Sequence, residues 1–235
     1  MINTPGDNIL LSAPEHIYGV RLEPIVDLFS RQIISYEVLS RLAPQQDPEA
    51  FFAQLPTSDK VTLFCHQVGQ LKSLYKPGKY FLNLPLEALI ESRHFERLLD
   101  VCAPWVTIEI QDASFFDSLS LRHKLCLRER IGQLRQQRIA VWLDDLCEHS
   151  VLPFYHYGIE ADGVKIDKQA FWRLSNHSPA LCQLVNQCKG ISAQIIIEGI
   201  EDAVHLEVAR ESGARFGQGY LWPYERWLHA DLSSL

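Results

Sequence analysis

Membrane-spanning helices need about 20 consecutive apolar residues, and no stretch of this chain comes close. The N-terminus, Met1 to Glu15, scatters polar residues among apolar ones and has no basic flank before an apolar core, so it lacks the form of a signal peptide. Positive charge is also scarce. Lys and Arg number 22 against 29 Asp and Glu, a formal net charge of -7, which is opposite to the footprint of a nucleic-acid-coating protein. The six cysteines, Cys65, Cys102, Cys126, Cys147, Cys182 and Cys188, contain no CxxC pair and no short framework spacing. They read as reduced, mostly buried thiols of a cytoplasmic protein. Glycine and proline, twelve of each, are spread along the chain and leave no low-complexity segment. No glycine-rich phosphate loop follows the first apolar strand, which weakens a nucleotide-binding open sheet.

What is present is 235 residues that are 47% hydrophobic and 22% charged, enough for a sizeable core in one large or two small domains. Strand and helix patterns alternate along it. Arg21–Val26 and Gln32–Tyr36 form a predicted hairpin about Phe29-Ser30-Arg31. Ser58–Tyr75 is a predicted helix with Val61, Phe64, Cys65, Val68, Leu71 and Leu74 on one face, stopped by Pro77-Gly78. Further strands are predicted at Tyr80–Leu84, Val106–Ile110, Ile139–Leu143, Gly163–Ile166 and Gln194–Ile197, with a short last segment at Ala214–Gly217. Helices are predicted at Leu86–Asp100, Ser120–Gln137, through Leu181, Leu184, Val185 and Cys188 to a cap at Gly190, and at Asp202–Glu211 before Gly213. This alternation indicates parallel βαβ units, in an open doubly wound sheet or a (β/α) barrel, and a barrel needs about this length.

Polar residues recur at or near the C-terminal ends of these strands. Glu37, Asn83, Glu109, Asp144, Asp145, Lys165, Glu198 and Gln218 all take that position, and in a barrel those ends form the active-site face. Burying several carboxylates together is prohibitive unless cations bind there. Asp, Glu and Asn oxygens suit hard divalent ions, and the adjacent pair Asp144-Asp145 suits two metals about 4 Å apart, an arrangement that cleaves phosphoesters. Lys165 among the acids would hold a water or neutralise developing charge. The basic residues Arg122, His123, Lys124, Arg128, Arg130, Arg135 and Arg138 crowd one predicted helix. They read as a solvated outer face, with Leu125, Ile131 and Leu134 toward the barrel. Cys147 and His149 flank the aspartates without spaced partners and give only a weak metal signal.

At these residues the chain resembles the EAL domains, bacterial cyclic di-GMP phosphodiesterases. The resemblance runs from about Tyr18 almost to Leu235, after a lead-in of residues 1–17, as a single domain over 18–235. Glu37-Val38-Leu39 stands for the name motif, within Tyr36-Glu37-Val38-Leu39-Ser40-Arg41. Glu23-Pro24-Ile25-Val26-Asp27 is similar to QPIVD, Asn83-Leu84-Pro85 to NLS/NLP and Glu109-Ile110-Gln111-Asp112 to EITE. Leu143-Asp144-Asp145-Leu146 is similar to the start of LDDFGTG, Lys165-Ile166-Asp167 to KID, Glu198-Gly199-Ile200-Glu201 to EGVE, and Gln218-Gly219-Tyr220 to QGY. The resemblance implies a TIM-like (β/α)8 barrel with one antiparallel strand near the N-terminus. It also implies two Mg²⁺ or Mn²⁺ ions and hydrolysis of cyclic di-GMP to linear pGpG. Glu37, Asn83, Glu109 and Asp144 would bind one ion, and Asp144, Asp145 and Glu198 the second. Lys165 would orient the attacking water and, with Glu37, serve catalysis, while Leu39, Arg41, Glu201 and Gln218 would bind substrate. A homodimer or a protein partner fits this family; DNA, RNA and a membrane span do not. With so few residues before the match, a stand-alone cytoplasmic member is expected.

The chain departs from the family pattern after Asp145, where Leu146-Cys147-Glu148-His149-Ser150 replaces the glycine-containing loop. Left-handed backbone at Glu148 or His149 would be costly, so a strained, mobile or differently folded loop and a weaker second metal are expected. Asp112 stands where the family has a longer glutamate that steadies this loop. Glu23 replaces the usual Gln and would add negative charge near an anionic ligand. A phosphodiesterase is the first expectation. A weak or silent member that senses cyclic di-GMP or binds a protein is the alternative.

Overall fold

The computed structural model describes residues 16–73 and 78–228. β1 (Ile17–Asp27) and β2 (Ile33–Leu42) form the expected antiparallel hairpin, but both run further than the hydrophobic pattern indicated. Glu37, Leu39 and Arg41 therefore lie within β2 and not beyond its end. β3 (Tyr80–Leu84), β4 (Val106–Ile110), β5 (Ala140–Leu146), β6 (Gly163–Ile166), β7 (Ile195–Ile197) and β8 (Phe216–Gly217) each pair in parallel with the preceding strand, starting from β2. β8 then pairs antiparallel with β1 at Val26–Gly217 and Asp27–Phe216, closing an eight-stranded mixed barrel. A ninth strand, β9 (Glu225–Leu228), pairs antiparallel with Gly19–Leu22 of β1 and had no strand expectation in the sequence.

The helices cover the barrel. Helix Thr57–Ser73 buries Val61, Phe64, Cys65, Val68 and Leu71, while Leu74 and the expected end of this helix lie outside the described residues. The helix expected over Leu86–Asp100 is two, Leu86–Ile90 and Ser92–Val101, because Glu91 is extended (ψ 122°). The helix expected up to Gly190 is also two, Lys168–Ser175 and Ser178–Cys188, with Pro179 opening the second. Gly190 does not cap in a left-handed conformation; its N–H closes a tight last turn on the Gln187 carbonyl at 3.0 Å. Helix Leu121–Gln136 turns Leu127, Ile131 and Leu134 inward, whereas Leu125 is 43% exposed and does not face the barrel. Arg122, His123, Arg128 and Arg138 are exposed on the outer face as expected, whereas three others are engaged within the molecule. Lys124 is buried over the Tyr157 ring at 4.6 Å, Arg130 donates to the Leu89 carbonyl at 2.6 Å, and Arg135 pairs with Asp162 at 3.1 Å. Short helices at Pro48–Gln54 and Val151–His156 and a 3₁₀ turn at Ala113–Ser118 are too brief to leave a periodic signal.

Among the described residues the core has three parts, the smallest being Ile17, Leu42 and Leu63 with Phe51 and Phe52 at the open end of the β1–β2 hairpin. The largest fills the space between strands and helices. The third is an apolar plug of Ile25, Phe81, Trp142 and Ile196 inside the barrel, drawn from alternate strands in the way barrel interiors fill. All six cysteines are unpaired.

Closure of the barrel depends locally on Asp27. Its carboxylate is 7% exposed, accepts the Phe29 and Ser30 N–H groups at 3.0 and 2.9 Å, and meets Arg215 Nε from the segment before β8 at 2.6 Å. The Ser30 N–H first, with Phe29 and Arg215, holds this carboxyl below the usual carboxylate range. A depressed native pKa stabilises above the unfolded value of about 4, and the gain is lost as pH falls through the lower native value. Asp27→Ala should therefore lower stability by about 1–3 kcal/mol at neutral pH, with the difference from the parent shrinking below about pH 4, measured by urea unfolding across pH.

Candidate functional site

Side chains alternate across a strand, so inward positions recur every second residue. From the plug upward, Phe81 is followed by Asn83, Thr107 by Glu109, Trp142 by Asp144, Ile196 by Glu198 and Phe216 by Gln218. The C-terminal mouth of the barrel is thus polar and its floor apolar. The structure brings Glu37, Asn83, Glu109, Asp144, Asp145, Lys165, Glu198 and Gln218 together there.

Lys165 is at the centre. Its side chain is fully buried, and Nζ lies 2.6 Å from Glu109 Oε1, 2.6 Å from Glu198 Oε1, 3.1 Å from Glu37 Oε2 and 3.4 Å from Asp144 Oδ1. Burial disfavours the charge, yet the carboxylates, led by Asp144, raise its pKa well above the ordinary lysine value. Burial works to raise the Glu37 carboxyl, but Lys165 and the bonds from Asn83 Nδ2 (2.9 Å) and Gln218 Nε2 (2.6 Å) hold it below its usual value. Burial pushes Glu109 and Asp144 well up, and Glu198 up to about 7.

Asp144 and Asp145 are neighbours on a strand, and regular alternation would point them to opposite faces. The β5–β6 register breaks between Leu143 and Leu146, and Asp145 takes a left-handed φ of 56°. Aspartate tolerates this conformation better than most residues. The bulge re-aims Asp145, so that oxygens of Asp144, Asp145 and Glu198 lie within 4.8 Å of one another. Among the described residues, Cys147 and His149 take no part in that cluster.

The replaced loop is not strained where expected. Neither Glu148 nor His149 has a positive φ. The turn closes with Ser150 Oγ accepting the Cys147 N–H at 2.9 Å and the Ser150 N–H donating to the Cys147 carbonyl at 3.1 Å, and Glu148 pairs with Arg173 at 2.7 Å. Local side-chain bonds stabilise this turn without glycine. Asp112 braces a different segment: its Oδ1 accepts the Leu86 N–H after β3 at 2.6 Å.

Two glycines set the far side of the mouth. Gly199 has φ 77°, and a Cβ at Gly219 would fall 2.3 Å from the Ile200 carbonyl oxygen. The backbone of Gln218 can then bond Ile197 and Ile200 at 2.9 and 3.1 Å, which holds its amide over Glu37. Glu201 is exposed and lines the acidic cleft of about 680 Å³ with Leu39, Glu198 and Gln218. Arg41 stands apart from the carboxylates, 4.9 Å from the Tyr18 ring, in a neighbouring cavity that Leu39 also lines. Glu23 does point inward, with its charge matched by Arg21 at 2.6 Å and its Oε2 accepting from Gln218 at 3.2 Å. Arg21 was not singled out from the sequence, although the period of two in β1 puts it on the face of Glu23 and Ile25.

The donor set fits hard cations. Asn83 Oδ1, Glu109 Oε2 and Gln218 Oε1 are buried oxygens without a hydrogen-bond donor, beside a cluster of three carboxylates. Buried acceptors are rarely left so, and oxygen ligands of this kind suit divalent ions.

The model of the EAL domain family matches residues 17–223. The cyclic di-GMP phosphodiesterase TpdA of Vibrio parahaemolyticus is 23% identical over 218 residues, covering 88% of this chain and 37% of that protein. The chain spans less than half the length of the curated relatives it matches. An EAL domain protein from Listeria monocytogenes superposes with a TM-score of 0.75 at 20% identity, over all of this chain and 98% of the other. Klebsiella pneumoniae BlrP1, as a complex with manganese and cyclic di-GMP at pH 6, superposes with a TM-score of 0.71 at 17% identity, over 92% of this chain and 57% of the other. With its barrel, its site residues and a family match across most of its length, the chain belongs to the EAL domain family.

Proposed function

We propose that this chain is a metal-dependent phosphodiesterase of the cytoplasm that hydrolyses cyclic di-GMP to linear pGpG. The observation that carries the reading is the pair of buried oxygens without donors, Asn83 Oδ1 and Glu109 Oε2, beside the convergent carboxylates of Asp144, Asp145 and Glu198. The naming of TpdA and the ligands of BlrP1 support it. Glu37, Asn83, Glu109 and Asp144 would hold one Mg²⁺ or Mn²⁺, and Asp144, Asp145 and Glu198 a second. Ions bound there would polarise a phosphodiester and lower the pKa of a bound water.

In the reaction water attacks one phosphorus, a P–O bond opens, the phosphate stays on one end of the product and the departing ribose oxygen takes up a proton. Lys165, held as an ammonium by its carboxylates, orients the attacking water and offsets charge that grows on the phosphoryl oxygens. Glu37 positions Lys165 and Gln218 at once, through Oε2. Gln218 and Leu39 border the reacting phosphate, while Arg41 and Glu201 contact the substrate further out. The bulge that presents Asp145 forms without the glycines of the family loop, which supports an active site over the alternative of a silent member.

Asp144→Ala removes the carboxylate shared by both ion sites and should abolish turnover of cyclic di-GMP in Mn²⁺ or Mg²⁺. Unchanged turnover by a folded variant would defeat the assignment. Lys165→Met should lower kcat roughly a hundredfold, about 3 kcal/mol, while Mn²⁺ still binds. It also strips four carboxylates of their counter-ion, and breaking buried pairs costs about 3–5 kcal/mol. Its melting temperature should therefore fall sharply in chelator and recover with Mn²⁺; loss of Mn²⁺ binding would make the lysine purely structural.

A further inference from the structure

Beside the acidic mouth lies a second cavity of about 420 Å³, walled by β1, β2, the segment Tyr224–Arg226 and the helices Pro48–Gln54 and Thr57–Ser73. Arg21 and Leu39 line both spaces, so the two adjoin. The sign of charge reverses between them. The second cavity presents Arg21, Arg41, Lys60 and Arg226 with the rings of Tyr18 and Tyr224, and no carboxylate stands among its described lining residues. In a chain of net charge -7 this is a local concentration of cations.

The cavity wall supplied by β9 has a definite construction. Arg21 and Arg226 are direct partners across the antiparallel β1–β9 pair, a placement in which like charges repel. The Tyr224 ring lies against both guanidinium groups, 5.1 Å from Arg21 and 5.0 Å from Arg226, and the Tyr224 hydroxyl accepts a hydrogen bond from Arg226. Glu23 anchors Arg21 from the mouth side at 2.6 Å, yet Arg21 Nε is buried without a hydrogen-bond partner. Opposed guanidinium groups with spare donors match a phosphate, and flat rings beside them match a planar base. Tyr224 and Arg226 lie beyond residues 17–223, so nothing in the family match accounts for them.

We propose that Tyr224 and Arg226, with Arg21, form a subsite for the half of the dinucleotide remote from the carboxylates. The guanidinium groups meet the phosphodiester that is not cleaved, and a tyrosine ring lies against its guanine. This rests on the phosphodiesterase reading. It adds to that reading a specificity for a ligand with two phosphates, since a mononucleotide held at the carboxylates would leave the second cavity empty.

The test uses the full chain, its Tyr224→Ala, Arg226→Gln and Arg226→Lys variants, and calorimetric binding of the hydrolysis-resistant phosphorothioate analogue of cyclic di-GMP in Mn²⁺. KM and kcat for cyclic di-GMP and Mn²⁺ binding are measured alongside. Tyr224→Ala and Arg226→Gln should each raise Kd and KM about tenfold, with a smaller change in kcat and unaltered Mn²⁺ binding. Arg226→Lys should recover part of the affinity and keep its salt dependence, which Arg226→Gln should lessen. Variants that bind as the parent does would overturn the subsite and leave the phosphodiesterase reading standing. Variants that lose melting temperature and kcat with KM unchanged would mark β9 as a structural strand and overturn it as well. A parent that neither binds the analogue nor turns over cyclic di-GMP would overturn both readings.

Discussion

One buried ammonium group organises the mouth of this barrel. Lys165 Nζ reaches Glu37, Glu109, Asp144 and Glu198, which come from β2, β4, β5 and the end of β7. Any one of these carboxylates would be costly to bury alone, and together they would repel across the barrel axis. The lysine converts that repulsion into attraction between strands far apart in sequence. It also explains why neighbouring carboxyls differ. Glu37, with three donors, stays below its usual range, whereas Glu109 and Asp144, with fewer, are pushed well up by burial.

At the mouth two backbone irregularities place side chains in the site. The left-handed Asp145 and the bulge beneath it place two consecutive carboxylates on one side of a strand, which a regular strand forbids. The close pass of Gly219 over Ile200 sets Gln218 above Glu37. The loop that follows Asp145 is held instead by ordinary devices, a serine bonded to its own turn and an ion pair on the surface.

The electrostatic layout has two compartments joined by Arg21. The carboxylate mouth is shaped for cations, and the cavity beside it, lined by arginines and tyrosines, for anions and rings. Glu23 forms the boundary. Its added negative charge is matched by Arg21 within β1 and by the Gln218 amide after β8.

Read along the chain alone, the residues indicate parallel βαβ units and a row of polar strand ends, and the resemblance to the EAL domains selects the barrel. Period-two strands separated by helices fit an open sheet as well as a barrel, but the polar residue at each strand end marks one rim in either. Spans such as Tyr80–Leu84, Val106–Ile110 and Gly163–Ile166 were legible to the residue because each is short, apolar and bounded by turns. Tertiary structure decided the rest, because the deciding contacts are non-local. Glu91 breaks a helix that periodicity joins, and β9 exists because β1 offers it a free edge at Gly19–Leu22. Asp112 bonds Leu86 across the rim and not the loop after Asp145, since a short carboxylate takes the N–H within reach. That Asp145 turns inward, that Glu148 and His149 escape strain, and that Arg21 meets Tyr224 and Arg226 all depend on register and strand pairing, which a one-dimensional pattern of residues does not encode.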